Sequence, residues 1–242
     1  MKNPKHLIRP FLRKLGRDLV VYSPTHHPMA RQAKLLDTYK IDLVLDIGAN
    51  TGQYAQELRE LGYKSNIVCF EPMLAAYTQL KQWAEQDEKT LVVNSAVGDF
   101  DGEIEFNLAA NSVSSSILDI LPSHTDVAPD SKITNKETVT IIRLDSVFDK
   151  YCTAEQNILL KIDTQGYEMS VLKGAGISLT KIRALQLEMS FVPLYKGQAL
   201  FHDIYLWLLE KGFQMVEITP MFINPDTGEV LQVDGIFRSQ RT

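Results

Sequence analysis

A chain of 242 residues with 45% hydrophobic and 23% charged residues has the size and composition of one α/β domain with a full core. No run approaches the apolar length that spans a bilayer, and the N-terminus has no apolar stretch ending in a small-residue cleavage site, so neither a transmembrane helix nor a secretory leader is expected. The net charge of −5 is uneven: of the 25 basic residues, Lys2, Lys5, Arg9, Arg13, Lys14 and Arg17 lie in residues 1–17 with no acid among them, and the remaining 19 face 30 acids, which argues against general nucleic-acid binding.

Residues 1–40 read as a basic helical extension that acts as a lid, with His26 and His27 ahead of Pro28 belonging to it. Two readings stand for residues 1–17: a peripheral contact with an anionic lipid or glycan surface, or a solvated helix that packs Leu7, Phe11, Leu12 and Leu15 on the body. Pro10 interrupts the pattern and weakens the first reading. From residue 41, strand-like apolar runs alternate with helical segments, the signature of a largely parallel sheet with helices on both faces. Strands are expected at 43–47, 67–70, 91–97, 158–162 and 184–189, and helices at 51–61, 72–86, 145–151, 167–172 and 199–211. Residues 103–144 look like an insertion, with half-buried strands at 103–108 and 139–144 around a long mobile loop rich in Ser, Asn, Asp and Pro. Residues 213–218 and 230–237 pair across the turn Asn224–Gly228. Cys69 and Cys152 form no CxxC pair, so zinc and disulfides are not expected; Cys69 reads as a buried strand residue and the compartment as cytoplasmic.

The segment Val44-Leu45-Asp46-Ile47-Gly48-Ala49-Asn50-Thr51-Gly52 follows a buried strand and opens a helix. Gly48 and Gly52 allow backbone to approach a ligand at the C-terminal edge of the sheet, where open α/β sheets bind. Asp46 can accept from an ammonium group of a cofactor, directly or through water. The spacing is GxxxG, not GxGxxG, and Asn50 stands where the middle glycine would admit a pyrophosphate, which favours a cofactor without a diphosphate. Glu71 ends the second strand, 25 residues after Asp46, where a carboxylate can accept from ribose hydroxyls. The competing explanation is that Asp46 and Glu71 cap helices. By position, residues 94–99 close over an adenine edge: backbone at Ala96 or Val97 reads N1, and Ser95 or Asp99 accepts from the amino group. A turn at Gly98-Asp99 explains the same residues equally well.

These segments, with Leu159-Leu160-Lys161-Ile162-Asp163-Thr164-Gln165-Gly166-Tyr167-Glu168 and Val171-Leu172-Lys173-Gly174-Ala175, resemble the FkbM family of class I methyltransferases from about residue 41 to 237. The resemblance implies a Rossmann-like seven-stranded, mostly parallel sheet with helices on both faces and one antiparallel strand near the edge, for which Val230–Phe237 is the candidate. It also implies S-adenosylmethionine as cofactor, and methylation of a hydroxyl on a sugar, glycolipid or related metabolite. Gln165 stands where the family usually has glutamate, which puts in doubt any role requiring charge there, such as metal ligation or proton transfer; no metal is expected.

Methyl transfer from a sulfonium is an in-line displacement, and the protein must hold a nucleophile about 3 Å from the methyl and assist loss of its proton. Asp163, at the end of the strand beside the first, is the candidate base or substrate-positioning residue, with helix capping as the alternative; Lys161 orients it or meets another acid. Glu188, ending the fifth strand, binds an acceptor hydroxyl at the far wall or is buried in a structural network. Glu168 supports the strand-helix turn rather than acting on substrate, His124 in the long loop reaches the cleft or is solvated, with the second favoured, and residues 111–116 line the cleft with hydroxyls or form a flexible linker. Two competing functions stand beside a methyltransferase with a small-molecule or glycan acceptor. One is a cofactor-binding module without catalysis, motivated by Gln165. The other is a nicotinamide-dependent oxidoreductase, against which Asn50 argues.

Overall fold

A computed structural model describes residues 5–241 of the protein, with side chains from Ile8 onward. The N-terminal region holds α1 (Lys5–Lys14) and α2 (Pro28–Thr38). Then follow β1 (Leu43–Ile47), α3 (Gln53–Glu60), β2 (Asn66–Phe70), α4 (Leu74–Ala84) and β3 (Thr90–Val93). The middle of the chain contains β4 (Ala96–Gly98), β5 (Gly102–Ala109), α5 (Pro122–Thr125), β6 (Ile133–Arg143) and α6 (Leu144–Tyr151). The last third contains β7 (Ile158–Ile162), α7 (Glu168–Gly174), β8 (Ile182–Ser190), α8 (Phe201–Glu210), β9 (Phe213–Ile223) and β10 (Val230–Ser239).

Seven strands form one sheet in the order β3-β2-β1-β7-β8-β10-β9. The strands from β3 to β8 run parallel, and β10 runs antiparallel to both neighbours, as expected for residues 230–237. The strand interiors are apolar without alternation because both faces are covered. Leu43, Leu45 and Ile47 share a cluster with Phe148 of α6, Leu172 of α7 and Leu208 of α8. Val44 points to the other face and packs with Leu36 of α2, Leu58 of α3 and Leu80 of α4.

Three expectations change. The single strand expected at 91–97 breaks at Asn94-Ser95. Asn94 Nδ2 donates to the carbonyls of Glu71 and Pro72, both at 2.9 Å, and the chain leaves the main sheet to pair β4 with β6 in a second sheet, β4-β6-β5. The segment expected as a mobile loop is ordered by internal bonds: Ser114, Ser116, His124 and Ser131 are all buried, and the Ser114 and Ser131 hydroxyls bond each other at 2.9 Å. Finally, Phe11 and Leu15 do not pack on the body; they are exposed to solvent. Leu7 lies outside the residues with described side chains.

Candidate active site

The strand ends of β1, β2, β7, β8 and β10 open into a cleft of about 380 Å³. The turn after β1 shapes one wall. Gly48 has φ +82°, and a Cβ on it would fall 1.9 Å from the Asp163 carbonyl oxygen. Its glycine is therefore demanded by the close passage of the chain leaving β7, not by a ligand alone. Asn50 also adopts positive φ, +48°, and its N–H donates to Glu71 Oε2 at 2.7 Å while the Met73 N–H donates to Oε1 at 2.8 Å. Burial pushes the Glu71 carboxyl up to about 7, against the pull of these two N–H groups. Each of its oxygens accepts one bond and retains a free lone pair. Pro72, Met73 and Phe106 continue this wall as an apolar surface.

Asp163 lines the facing wall with its side chain 34% exposed. Lys161 Nζ donates to its Oδ2 at 3.2 Å and Gln165 Nε2 to its Oδ1 at 2.7 Å, so both oxygens are held in place. Lys161 Nζ also lies 3.4 Å from Asp46 Oδ1 and 5.1 Å from the centre of the Tyr54 ring. Burial alone would lower the Lys161 pKa, but the carboxylates of Asp163 and Asp46 outweigh it and hold the ammonium charged. Gln165 sits at φ +55°. Its Nε2 also donates to Glu188 Oε2 at 2.8 Å, and its Oε1 accepts from the Tyr195 hydroxyl at 2.8 Å.

Several residues singled out from sequence sit elsewhere. Asp46 is fully buried behind Lys161 and meets the cleft only through it. Gly52 packs against α4, where a Cβ would meet Leu80 at 2.6 Å. Ser95 and Ala96 are buried at the strand break, and the Ser95 hydroxyl donates to the carbonyls of Ala96 and Thr140. Asp99 is exposed and accepts from Tyr167 at 3.4 Å. Glu188 lies behind Gln165, takes a second bond from Gln232 Nε2 at 3.0 Å, and is pushed well above the usual carboxylate range by burial and then by Asp163. It belongs to the structural network. His124 is not solvated; its ring packs edge-on against Tyr195 and tilted against Phe222. Glu168 accepts from Thr164 N and Gly166 N, both at 3.0 Å, and holds the turn. Ser112, Val113 and Ser115 line the cleft, and Ser116 Oγ anchors the segment to the Gln165 carbonyl at 2.7 Å.

The family described as the methyltransferase FkbM domain matches residues 46–215. The chain belongs to this family. Its cofactor is S-adenosylmethionine, and the oxidoreductase reading falls with that assignment. A 2-O-methyltransferase, NoeI, of Sinorhizobium fredii (strain NBRC 101917 / NGR234) is 28% identical over 191 residues, 76% of this chain and 77% of that protein. A solved structure described as a methyltransferase of Thermobifida fusca YX superposes with a TM-score of 0.50 at 14% identity, covering 87% of this chain and 78% of its own. Another, described as an S-adenosylmethionine-dependent methyltransferase of Listeria monocytogenes, has a TM-score of 0.50 at 9% identity, covering 88% and 98%. These two likenesses speak to the fold.

The cleft of this FkbM methyltransferase fits the cofactor. Glu71 has free lone pairs for ribose hydroxyls, and Met73 and Phe106 offer apolar faces for a base. Among the described residues, no group of three His, Cys, Asp or Glu side chains is placed to hold a metal.

A third wall was missed from sequence. Gln32 of α2 donates to the Tyr54 hydroxyl at 2.9 Å, Tyr54 donates to Gln186 Oε1 at 2.7 Å, and Gln186 Nε2 donates to Asp234 Oδ2 at 3.1 Å. Beside them Glu217 pairs with Arg31 at 2.9 Å and accepts from Thr219 at 2.7 Å. Burial, then the Asp163 charge, raises the Asp234 carboxyl to about 6. A signal for this wall exists in the sequence: Gln186 and Glu188, then Gln232 and Asp234, alternate with apolar residues within otherwise buried strands.

Proposed function

We propose that the chain is an O-methyltransferase whose acceptor is a hydroxylated, sugar-like molecule without negative charge, and that Asp163 takes the acceptor's proton. The observation that carries this reading is the Asp163 carboxylate: it lies on the cleft wall with both oxygens fixed by Lys161 and Gln165, and the backbone carbonyl of the same residue packs against the Gly48 turn. S-adenosylmethionine, when bound, supplies a methyl group made electrophilic by its sulfonium. Asp163 would accept the proton of the acceptor hydroxyl as the cofactor supplies the methyl carbon and takes the carbon–sulfur bond pair. Lys161 offsets the Asp163 charge before transfer and keeps its carboxylate aimed.

The likeness to a 2-O-methyltransferase supports oxygen as the nucleophile. The third wall supports a sugar-like acceptor, since Gln32, Gln186, Asp234 and Thr219 present donors and acceptors while Met29, Met221 and Ile236 present apolar surface. Charge supports the exclusion of anions: Glu57, Asp163, Asp234 and, in its ionised form, Glu71 line the cleft against Lys161, while Glu217 is paired with Arg31. A polyanion such as nucleic acid meets repulsion there.

The test is Asp163→Asn, assayed with labelled cofactor on a panel of neutral, amino and phosphorylated glycans. Transfer to neutral or amino glycans should fall about a hundred- to ten-thousand-fold, while titration calorimetry with S-adenosylmethionine stays unchanged. Undiminished transfer by the variant would remove Asp163 from its role; a preference for phosphorylated acceptors would overturn the substrate reading.

A further inference from the structure

The N-terminal arm carries apolar surface that the domain does not cover. Ile8, Phe11, Leu15, Leu19, Val20, Val21 and Tyr22 are each 47–64% exposed. In α1 the apolar Ile8, Phe11 and Leu12, continued by Leu15, recur at helical spacing and share one face, while Arg9, Arg13 and Lys14 flank it. Charge follows the same division. Arg9 and Arg13 both pair with Asp18, at 2.9 and 3.0 Å, so across residues 8–22 this one acid faces four basic residues, Lys14 and Arg17 included.

We infer that this arm docks on the surface of an anionic phospholipid bilayer, with the apolar face of α1 and residues 19–22 in the headgroup boundary and the basic flank against lipid phosphates. A peripheral helix of this kind needs an apolar face and a basic flank together. A soluble glycan polyanion answers the charge but leaves the apolar face in water. A second copy of the chain would cover a flat face, yet four consecutive apolar residues, Leu19 to Tyr22, are all exposed, and a fluid interface surrounds them all. No helix among the described residues is long and apolar enough to cross a membrane, so the contact is peripheral. The arm is tied closely to the catalytic domain: Pro28, Met29 and Gln32 of α2 line the cleft, and the six residue steps from Tyr22 to Pro28 reach at most about 20 Å. Docking therefore holds the cleft mouth near the bilayer.

The experiment is flotation of the full chain with phosphatidylcholine vesicles, with and without one-third phosphatidylglycerol, beside sedimentation velocity without lipid. The expected result is co-flotation with the anionic vesicles, little with the neutral ones, and loss in a Phe11→Glu/Leu15→Glu double variant. Arg17→Glu should weaken partition by about fivefold or more. These side chains are exposed, so thermal unfolding and cofactor titration should match the parent chain. Failure of the parent chain to float with anionic vesicles overturns the inference, and so does equal flotation with neutral ones. A lipid-free dimer that the double variant abolishes also overturns it, by assigning the face to a second copy.

Discussion

A ribose contact at Glu71 would tie cofactor binding to pH, and the sign follows from its surroundings. Burial lifts its carboxyl from 4.5 to about 7 in the free protein. Ribose hydroxyls donate to the ionised form and pull it down again, so below about pH 7 binding must expel a proton. Affinity for S-adenosylmethionine should then weaken as pH falls from about 8 to 6, by up to ~10-fold per unit below 7. The stability of the free protein should follow the opposite trend. An acid whose folded pKa is raised contributes stability that is fully present below its unfolded value and is lost as pH rises through its folded one. Here that window runs from 4.5 to about 7, and at ~1.4 kcal/mol per unit the loss has an upper limit of ~3 kcal/mol. Glu71→Gln keeps one acceptor oxygen but turns an amide N–H toward Asn50 N–H or Met73 N–H. With the charge-assisted bonds to ribose also gone, affinity should drop by ~10- to 100-fold and its pH slope should vanish. Titration calorimetry in two buffers of different ionisation heat counts the protons. A parent affinity that is flat across this range with no proton release, or a Glu71→Gln variant with the same slope, would refute the ribose contact or the raised carboxyl.

Other perturbations test the reacting wall. Gln165→Glu places a third carboxylate between Asp163 and Glu188 and removes the amide that donates to both; repulsion raises the pKa of the set, and the acid limb of the kcat/KM profile should move up by ~1–2 pH units. Tyr195→Phe removes the one hydroxyl proton that Gln165 Oε1 and the Ser114 carbonyl share, which should cost ~1–3 kcal/mol in urea unfolding and speed hydrogen exchange in residues 111–116. Gly48→Ala forces a Cβ into the Asp163 carbonyl at a positive φ, so unfolding experiments should show a loss of more than ~3 kcal/mol, or no folded protein.

The readable part of this protein is the part decided by neighbours in sequence. The run from Val44 to Gly52 specifies a strand, a turn with positive φ and a helix start within nine residues, and Glu71 follows at the next strand end. The single strand expected at 91–97 failed because it depended on where the chain goes after β3. Asn94 ties back to Glu71 and Pro72, and β4 pairs with β6, whose residues lie more than forty positions onward. Nothing local announces that exchange of sheets. The serine-rich segment misled for a related reason. Its composition is that of a solvated loop, yet its hydroxyls find partners in Ser131 and Gln165, which only tertiary contact brings near.

Gln165 links what was read to what was missed. Replacing carboxylate with amide at that position does not simply subtract a charge. Asp163 and Glu188 stand at the ends of neighbouring parallel strands β7 and β8, and the amide donates to both. Its other atom takes the Tyr195 hydroxyl, and its backbone carbonyl takes Ser116. A glutamate with the same reach would set three carboxylates together in a buried setting, where one must hold a proton or a cation must enter. The amide satisfies the same geometry with neutral donors, so Asp163 keeps its aim while Lys161 alone offsets its charge. Doubt about proton transfer at position 165 thus passes to the neighbouring residue: in the proposed mechanism the base is Asp163, and Gln165 donates to its Oδ1.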